Sequence, residues 1–243
     1  MTEYSLIFPF FNEEKNIPHL LDNAIEFAIY TKKLCEFLFI DDNSVDNSSE
    51  VLIDCLRQRG LPTEEIKVVL HKNSENLGCH KSVNLGLEKA TGRFLLWFPT
   101  DLQILPTYAV PLLHYMDEHK LIHTIRIVRH DPVYRKIIGK AWNFYSNKLL
   151  DVHVEDIDSV TFYGRKAYNN IISFTKLHGF VAENTAQNLE IFFIARRLRI
   201  RIEQVPITHS KRYSGRSKGV TLEEALTSFF DVFKIRFRYK IRR

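Results

Sequence analysis

Short apolar runs alternate with helically spaced apolar positions through the first hundred residues. Tyr4 to Phe8 is an apolar run closed by Pro9. Ile17, Leu20, Leu21, Ala24, Ile25 and Ala28 then recur at helical spacing. Phe37 to Ile40 is a second run, closed by Asp41-Asp42-Asn43-Ser44, and Val51, Leu52, Cys55 and Leu56 mark a second helix that ends near Gly60. Ile66 to Leu70 reads as a third strand and His80 to Ala90 as a third helix, stopped by Thr91-Gly92. Phe94 to Phe98 is a fourth strand that ends at Pro99-Thr100-Asp101. Strands apolar on both faces, with helices between them, predict an α/β fold: a doubly wound, Rossmann-like, mostly parallel sheet flanked by helices. Downstream, Arg126 and Arg129 flank a further strand, Arg135 opens a helix running to about Leu150, and Ile200 to Ile207 is another strand. Thr221-Leu222-Glu223-Glu224 has the form of a capping box ahead of a last helix.

In such sheets ligands bind beyond the carboxyl ends of the strands. Here every strand of the first half is followed by polar residues. Asn12, Glu13 and Glu14 follow the first, Asp41 and Asp42 the second, Asn73, Asn76 and Gly78 the third, Asp101 and Gln103 the fourth. Helix capping explains any one of these loops. Four together on one rim, with two adjacent acids after a hydrophobic strand, favour a site. An acid-rich rim suits recognition of a base and ribose by carboxylates, with a hard cation bridging a diphosphate.

Motif content excludes several alternatives. No G-x-G-x-x-G follows the first strand, and the chain holds no P-loop, no G-x-S-x-G elbow and no H-E-x-x-H. Cys35, Cys55 and Cys79 have neither zinc nor redox spacing and read as reduced thiols of a cytosolic protein. No run is long enough to span a membrane, and Met1 to Phe11 has no signal-peptide pattern. Lys plus Arg is 34 against 29 Asp plus Glu, a net charge of +5. Six of those cations fall between Lys234 and Arg243; removing them from 34 leaves 28 against 29 acids. The basicity is therefore local, which points to a local anionic partner and away from nucleic acid.

The loop residues carry a resemblance. Phe8-Pro9-Phe10-Phe11-Asn12-Glu13-Glu14 resembles the P-x-x-N-E-E opening of family 2 glycosyltransferases, and Phe39-Ile40-Asp41-Asp42-Asn43-Ser44-Val45-Asp46 their V-D-D-G-S-x-D segment. Asn76-Leu77-Gly78, Asn84-Leu85-Gly86 and Ala90-Thr91-Gly92 are similar to the N-x-G, N-x-G, A-x-G run. Asp101-Leu102-Gln103 with Pro106 resembles the end of D-A-D-L-Q-x-P. Arg212-Tyr213-Ser214-Gly215-Arg216-Ser217-Lys218 resembles the R-x-x-G-x-S-K of the branch holding dolichol-phosphate mannose synthases and bactoprenol glucosyltransferases. The resemblance implies a GT-A domain over residues 1–218, followed by an amphipathic basic tail over 219–243. It implies an inverting enzyme that takes a sugar from a nucleotide-diphosphate sugar to a polyprenyl phosphate or a glycan hydroxyl. It assigns Pro9, Asn12, Glu13, Asp41, Asp42, Asn76, Gly78 and Thr100 to the nucleotide, and Asp101 and Gln103 to Mg2+ or Mn2+. Asp156, Asp101, Arg135, Arg212 and Lys218 are assigned to catalysis.

Two departures bear on that assignment. The first Asp of the D-x-D motif is Pro99 here, and the G-F-R that follows the acceptor-side D-x-x-S reads Val160-Thr161-Phe162. The first leaves three readings: a weakened metal site, a leaving group stabilised by Arg129, Arg135, Arg212 and Lys218, or a donor-binding or scaffold protein without turnover. On the acceptor side, Asp156, and after it Asp158, is the candidate base. A lipid phosphate requires none, since its oxygen is already anionic; a sugar hydroxyl requires one. Asp42 sits at a strand end, so its substitution is expected to cost donor binding and spare the fold.

The tail is the last signal. Phe233, Ile235, Phe237, Tyr239 and Ile241 alternate with Lys234, Arg236, Arg238, Lys240 and Arg242. A helix or an extended strand serves equally for an anchor on anionic lipid at the cytoplasmic face; the bland alternative is a helix docked on the core. Deletion of Lys234 to Arg243 is expected to release the protein from membranes and leave donor binding intact.

Overall fold

The computed structural model describes residues 1–128, 133–178, 180, 182, 186–213 and 222–239. The first half alternates β1 (Tyr4–Phe10), α1 (Ile17–Thr31), β2 (Cys35–Asp41), α2 (Ser48–Gln58), β3 (Ile66–Lys72), α3 (Cys79–Lys89) and β4 (Phe94–Trp97). A 3-10 segment, Pro106–Tyr115, leads to β5 (Lys120–Arg126), α4 (Val133–Leu150), β6 (Thr161–Gly164), α5 (Arg165–His178), α6 (Gln187–Arg197), β7 (Arg201–Ile207) and α7 (Leu222–Arg238). The seven strands form one sheet in the order β3-β2-β1-β4-β6-β5-β7.

Only β6 runs against the others, antiparallel to both β4 and β5. The remaining pairs, β1 with β2 and β4, β2 with β3 and β5 with β7, are parallel. The carboxyl ends of β1, β2, β3, β4, β5 and β7 therefore share one rim, where the polar loops collect. The amino end of β6 reaches the same rim.

β1, β2 and β4 are buried along their whole length because helices cover both faces of the sheet. Phe8 anchors the centre, stacked on Phe39 at 5.0 Å and on Phe98 at 6.1 Å, and Phe98 meets Phe162 at 5.3 Å. One glycine sets a packing distance: a Cβ on Gly86 would lie 2.3 Å from Cγ2 of Ile7. α3 thus approaches β1 more closely than any side chain at that position allows. At the opposite end of the sheet the buried Glu36 accepts from Ser5 Oγ at 2.7 Å and Thr91 N at 2.8 Å.

The final segment is a helix through Arg238, and it is docked. Val232, Ile235 and Tyr239 are buried. The Tyr239 hydroxyl donates to Glu190 Oε1 of α6 at 2.8 Å, and Phe229 stacks on Tyr145 of α4 at 4.6 Å. Among the described residues, no helix is long and apolar enough to cross a membrane. Residues 240–243 of the basic tail lie outside the described residues.

Candidate functional site

A cavity of about 790 Å3 opens on the rim between the loops that follow β1, β2, β3 and β4. Its floor comes from Pro9 and Asn12, one side from Asp42, Asn76 and Gly78, and the other from Thr100, Asp101 and Arg212. Each wall is held by hydrogen bonds between loops that are remote in sequence.

Asn12 ties the loop after β1 to the loop after β2. Its Oδ1 accepts from Val45 N at 2.9 Å and its own N–H donates to Ser44 Oγ at 3.0 Å. The residue takes φ 58°, a left-handed conformation that Asn tolerates better than most side chains. Glu13 N donates to Ser48 Oγ at 2.8 Å, and Glu13 Oε2 accepts from Asn16 Nδ2 at 2.5 Å. Thr100 Oγ1 donates to the Pro9 carbonyl at 3.2 Å, joining the first and fourth loops.

The two adjacent acids after β2 do different things. Asp41 turns away from the cavity: Oδ1 accepts from Ser44 N at 2.7 Å, while Oδ2 accepts from Ser49 Oγ and lies 3.7 Å from Lys72 Nζ. Asp42 lines the cavity and at the same time organises it. Its carboxylate accepts from Leu77 N, Gly78 N and Asn73 Nδ2, each at 2.8 Å, and from Ser82 Oγ at 3.0 Å. These donors include the start of α3, where a carboxylate is favoured by the helix dipole. Gly78 precedes that helix with φ 86°, a conformation side chains rarely adopt. Asp42 thus holds the whole loop between β3 and α3, and the expectation that its removal spares the fold does not survive this geometry.

The fourth loop is joined to the segment after β7. Ser210 N donates to the Gln103 carbonyl at 2.8 Å, and Gln103 Nε2 lies 3.4 Å from the Ser210 carbonyl. The Tyr108 hydroxyl is 2.7 Å from Ser210 Oγ. These bonds bring Arg212 over the cavity, where Nη2 meets Asp101 Oδ2 at 2.7 Å. Asp101 Oδ1 accepts from Gln103 N at 3.1 Å. Tyr213, next along, packs edge-on against His19 of α1 at 4.6 Å. Lys218 lies outside the described residues, as does Arg129, and nothing is described of the Arg135 side chain.

The resemblance implies a divalent cation here. Among the described residues no three His, Cys, Asp or Glu side chains gather into a metal cage. A hard cation needs no such cage: Mg2+ takes one or two carboxylates and completes its shell with substrate phosphate oxygens and water. Asp101 lines the cavity and offers a carboxylate; Gln103, two residues on and not among the lining residues, carries an amide oxygen of the right kind on the same loop. The donor set fits a cation that arrives with a diphosphate and would compete with Arg212 for the carboxylate.

Asp156 lies elsewhere on the rim, beyond β5, and is not among the residues lining the cavity. It has φ 47° and is buried. Its Oδ2 accepts from Arg126 N at 3.0 Å and Arg126 Nε at 2.7 Å, and its Oδ1 from Arg126 Nη2 at 2.5 Å. This is a bidentate, charge-assisted pair. Behind it, His123 is fully buried. Its Nε2 lies 2.9 Å from the Glu155 carbonyl and its Nδ1 2.9 Å from Thr161 Oγ1. Burial pushes the imidazole pKa down to about 4. His123 carried no motif, and Arg126 was read only as a strand flank; Asp46 closes the segment that resembles V-D-D-G-S-x-D but was given no site role, and Lys15 and Ser82, which also line the cavity, lack a spacing that separates them from caps.

Known proteins match both sequence and fold. The profile of glycosyl transferase family 2 matches residues 5–171. The undecaprenyl-phosphate 4-deoxy-4-formamido-L-arabinose transferase of Yersinia pestis is 24% identical over 215 residues, covering 88% of this chain and 62% of the relative. The chain thus spans 62% of the length of that relative. Glucosyl-3-phosphoglycerate synthase from Mycobacterium tuberculosis, in complex with uridine diphosphate, superposes with a TM-score of 0.61 at 16% identity, covering 98% of this chain and 80% of that one. The same enzyme with Mn2+, uridine diphosphate and glucosyl-3-phosphoglycerate gives 0.61 at 15% identity, over 98% and 80% of the two chains. S. aureus TarS 1-349 with UDP-GlcNAc gives 0.61 at 18%, over 98% of this chain and 66% of that one. These solved structures share the GT-A fold with the chain. With the family profile matching most of its length, the chain belongs to glycosyl transferase family 2.

Proposed function

We propose that the chain is an inverting, nucleotide-sugar-dependent glycosyltransferase whose acceptor is a polyprenyl phosphate. The observation that carries the donor half is the rim cavity: Asp42, Asn12 and Gly78 at one side, Asp101 and Arg212 at the other, on the ligand-binding edge of the sheet. The solved relatives bind uridine diphosphate or a UDP-sugar, which supports a nucleoside diphosphate in that cavity. In this reading Pro9, Asn12, Glu13, Asp42, Asn76, Gly78 and Thr100 surround the nucleotide, and Asp41 acts through the turn it braces. Asp101 and Gln103 hold Mg2+ or Mn2+, which when bound neutralises the leaving diphosphate. Arg212 adds positive charge on the same side, and the motif over residues 212–218 assigns Lys218 a like part.

The acceptor half rests on the Yersinia relative and on Asp156. A phosphate monoester is largely dianionic at neutral pH, with a second pKa of about 6, so its oxygen attacks the anomeric carbon without a base. A single displacement inverts that carbon, and the C–O bond to the diphosphate breaks as the new one forms. Asp156, engaged on both oxygens by Arg126, suits a positioning part better than proton removal. Arg135, on α4 beside this end of the rim, is the cation we assign to the acceptor phosphate. The lipid acceptor puts the reaction at the cytoplasmic face of a membrane.

The test is direct. UDP- and GDP-sugars are screened by thermal shift with and without Mn2+, and the stabilising donor is offered a polyprenyl phosphate. Release of nucleoside diphosphate with formation of the lipid-linked sugar is expected. Transfer to a glycan hydroxyl alone would replace the acceptor, and donor binding without turnover would leave a donor-binding protein.

A further inference from the structure

α4 is an amphipathic helix with its apolar side turned outward. Of its 18 residues only Ser146 and Leu150 are buried among the described side chains. Ile137 and Ile138 are each 63% exposed and Phe144 is 70% exposed. Helices on a protein surface normally show polar side chains to solvent and bury such residues. α7, packed beside α4, repeats the anomaly. One of its faces carries Val232 and Ile235 into the core, yet Leu226, Phe230 and Phe237 recur at helical spacing on another face and are exposed.

Two adjoining helices with outward apolar stripes make a contiguous patch, and such patches mark interaction sites. The charge around it selects the occupant. α4 contains Arg135, Lys136, Lys140 and Lys148 and no acid. On α7, Lys234, Arg236 and Arg238 border the exposed stripe, and the sole acid among its described side chains, Asp231, is buried. Apolar stripes bordered by Lys and Arg match a bilayer with anionic headgroups. Position agrees: α4 starts beyond the carboxyl end of β5, on the rim that carries Asp156 and Arg126.

We infer that the paired outer faces of α4 and α7 seat the protein on an anionic lipid bilayer, with the acceptor end of the rim held at the headgroups. The inference rests on the lipid-acceptor reading for its purpose, but its surface is tested separately. It also differs from an anchor made by the basic end of the chain alone, since α4 contributes exposed apolar side chains of its own.

The intact chain is sedimented with phosphatidylcholine vesicles, with and without phosphatidylglycerol, at low and high salt. Binding to the anionic vesicles that weakens with salt is expected. The triple variant Ile137→Ser/Ile138→Ser/Phe230→Ser changes only exposed positions and is expected to bind about tenfold more weakly or worse, with unchanged thermal stability and donor affinity. Lys136→Gln/Lys140→Gln is expected to reduce the salt dependence. Absence of vesicle binding by the intact chain at low salt overturns the inference, as does equal binding by the triple variant. A dimer in sedimentation equilibrium that the triple variant dissolves, without vesicle binding, overturns it in favour of a second copy. Transfer to a short-chain polyprenyl phosphate in solution reports on the acceptor separately: activity there without vesicle binding sinks the docking surface alone.

Discussion

The Arg212 guanidinium lies 2.7 Å from the Asp101 carboxylate, closing a contact between residues 111 positions apart. It puts a cation on the one acid that survives from the metal motif. A divalent ion facing this carboxylate would compete with Arg212 for its oxygens.

The first prediction follows from that competition. Arg212→Gln should tighten Mn2+ binding to the nucleotide-free protein by roughly fivefold, the scale of a partly exposed ion pair, while lowering transfer. Pro99→Asp should tighten it further by restoring a second carboxylate, and Asp101→Asn should abolish turnover. Calorimetric titration of Mn2+ into parent and variants decides the matter. Equal affinities, with activity that ignores a chelator and survives Asp101→Asn, would move the leaving-group chemistry to the cations.

Asp42 gives the second. Asp42→Ala removes the acceptor of Leu77 N and Gly78 N in a part-exposed loop and of the buried Asn73 and Ser82 side chains, and a buried donor left without its acceptor costs about 1–3 kcal/mol. The variant should melt at a visibly lower temperature and lose donor binding together. Scanning fluorimetry beside calorimetry separates the two effects; a variant as stable as the parent that still loses the donor would show the carboxylate to be a ligand only.

How much of this was legible in the sequence follows from periodicity. From β1 to β4 the strand and helix signals land on the elements to within a few residues, and even the four-residue β4 stands out because Phe94 to Phe98 is an apolar run between Thr91-Gly92 and Pro99. β6 is equally short, but Thr161-Phe162-Tyr163-Gly164 has no such run, so nothing in the pattern announces the strand that inserts between β4 and β5. The Asp41-Asp42 pair shows the same limit at the site. Adjacent residues of a strand end point opposite ways, so one lines the cavity and the other braces a turn. The tail misleads for a related reason. Alternating apolar and basic residues read as a detachable anchor, whereas Ile235 and Tyr239 are buried against the body. Deleting 234–243 therefore removes core, and the loss of membrane binding it causes would come with a loss of stability.

The third prediction concerns Asp156 and Arg126. Both are largely buried, so Asp156→Ala breaks a buried ion pair from one side and should cost about 3–5 kcal/mol. Replacing both partners, Arg126→Met with Asp156→Leu, should recover much of that loss. With a phosphate acceptor, Asp156→Asn should keep measurable turnover because no proton has to be removed. Loss of all turnover at unchanged stability would instead make Asp156 a base, and with it the acceptor a hydroxyl.

His123 supplies the last prediction, a dependence of stability on pH. The ring is fully buried and its neutral form is satisfied on both sides: Nε2–H donates to the Glu155 carbonyl, and Nδ1 accepts from the Thr161 hydroxyl. Burial pushes its pKa from 6.5 down to about 4. The unfolded chain therefore binds a proton near pH 6.5 that the folded protein refuses until about pH 4. Between those values the unfolded state holds more protons, so stability rises with pH and falls as the solution is acidified. The stabilisation is complete above pH 6.5, and it is lost over this window by roughly 3 kcal/mol, at about 1.4 kcal/mol per unit. The same ring braces the backbone of Glu155 and Asp156, so acidification should loosen the acceptor end of the rim before the nucleotide end. His123→Gln should be less stable than the parent at pH 7, and the difference should shrink steadily toward pH 4.5 because glutamine does not titrate. Urea unfolding of both proteins across this range measures it. Parallel curves for parent and variant would show that the histidine is not the group that titrates.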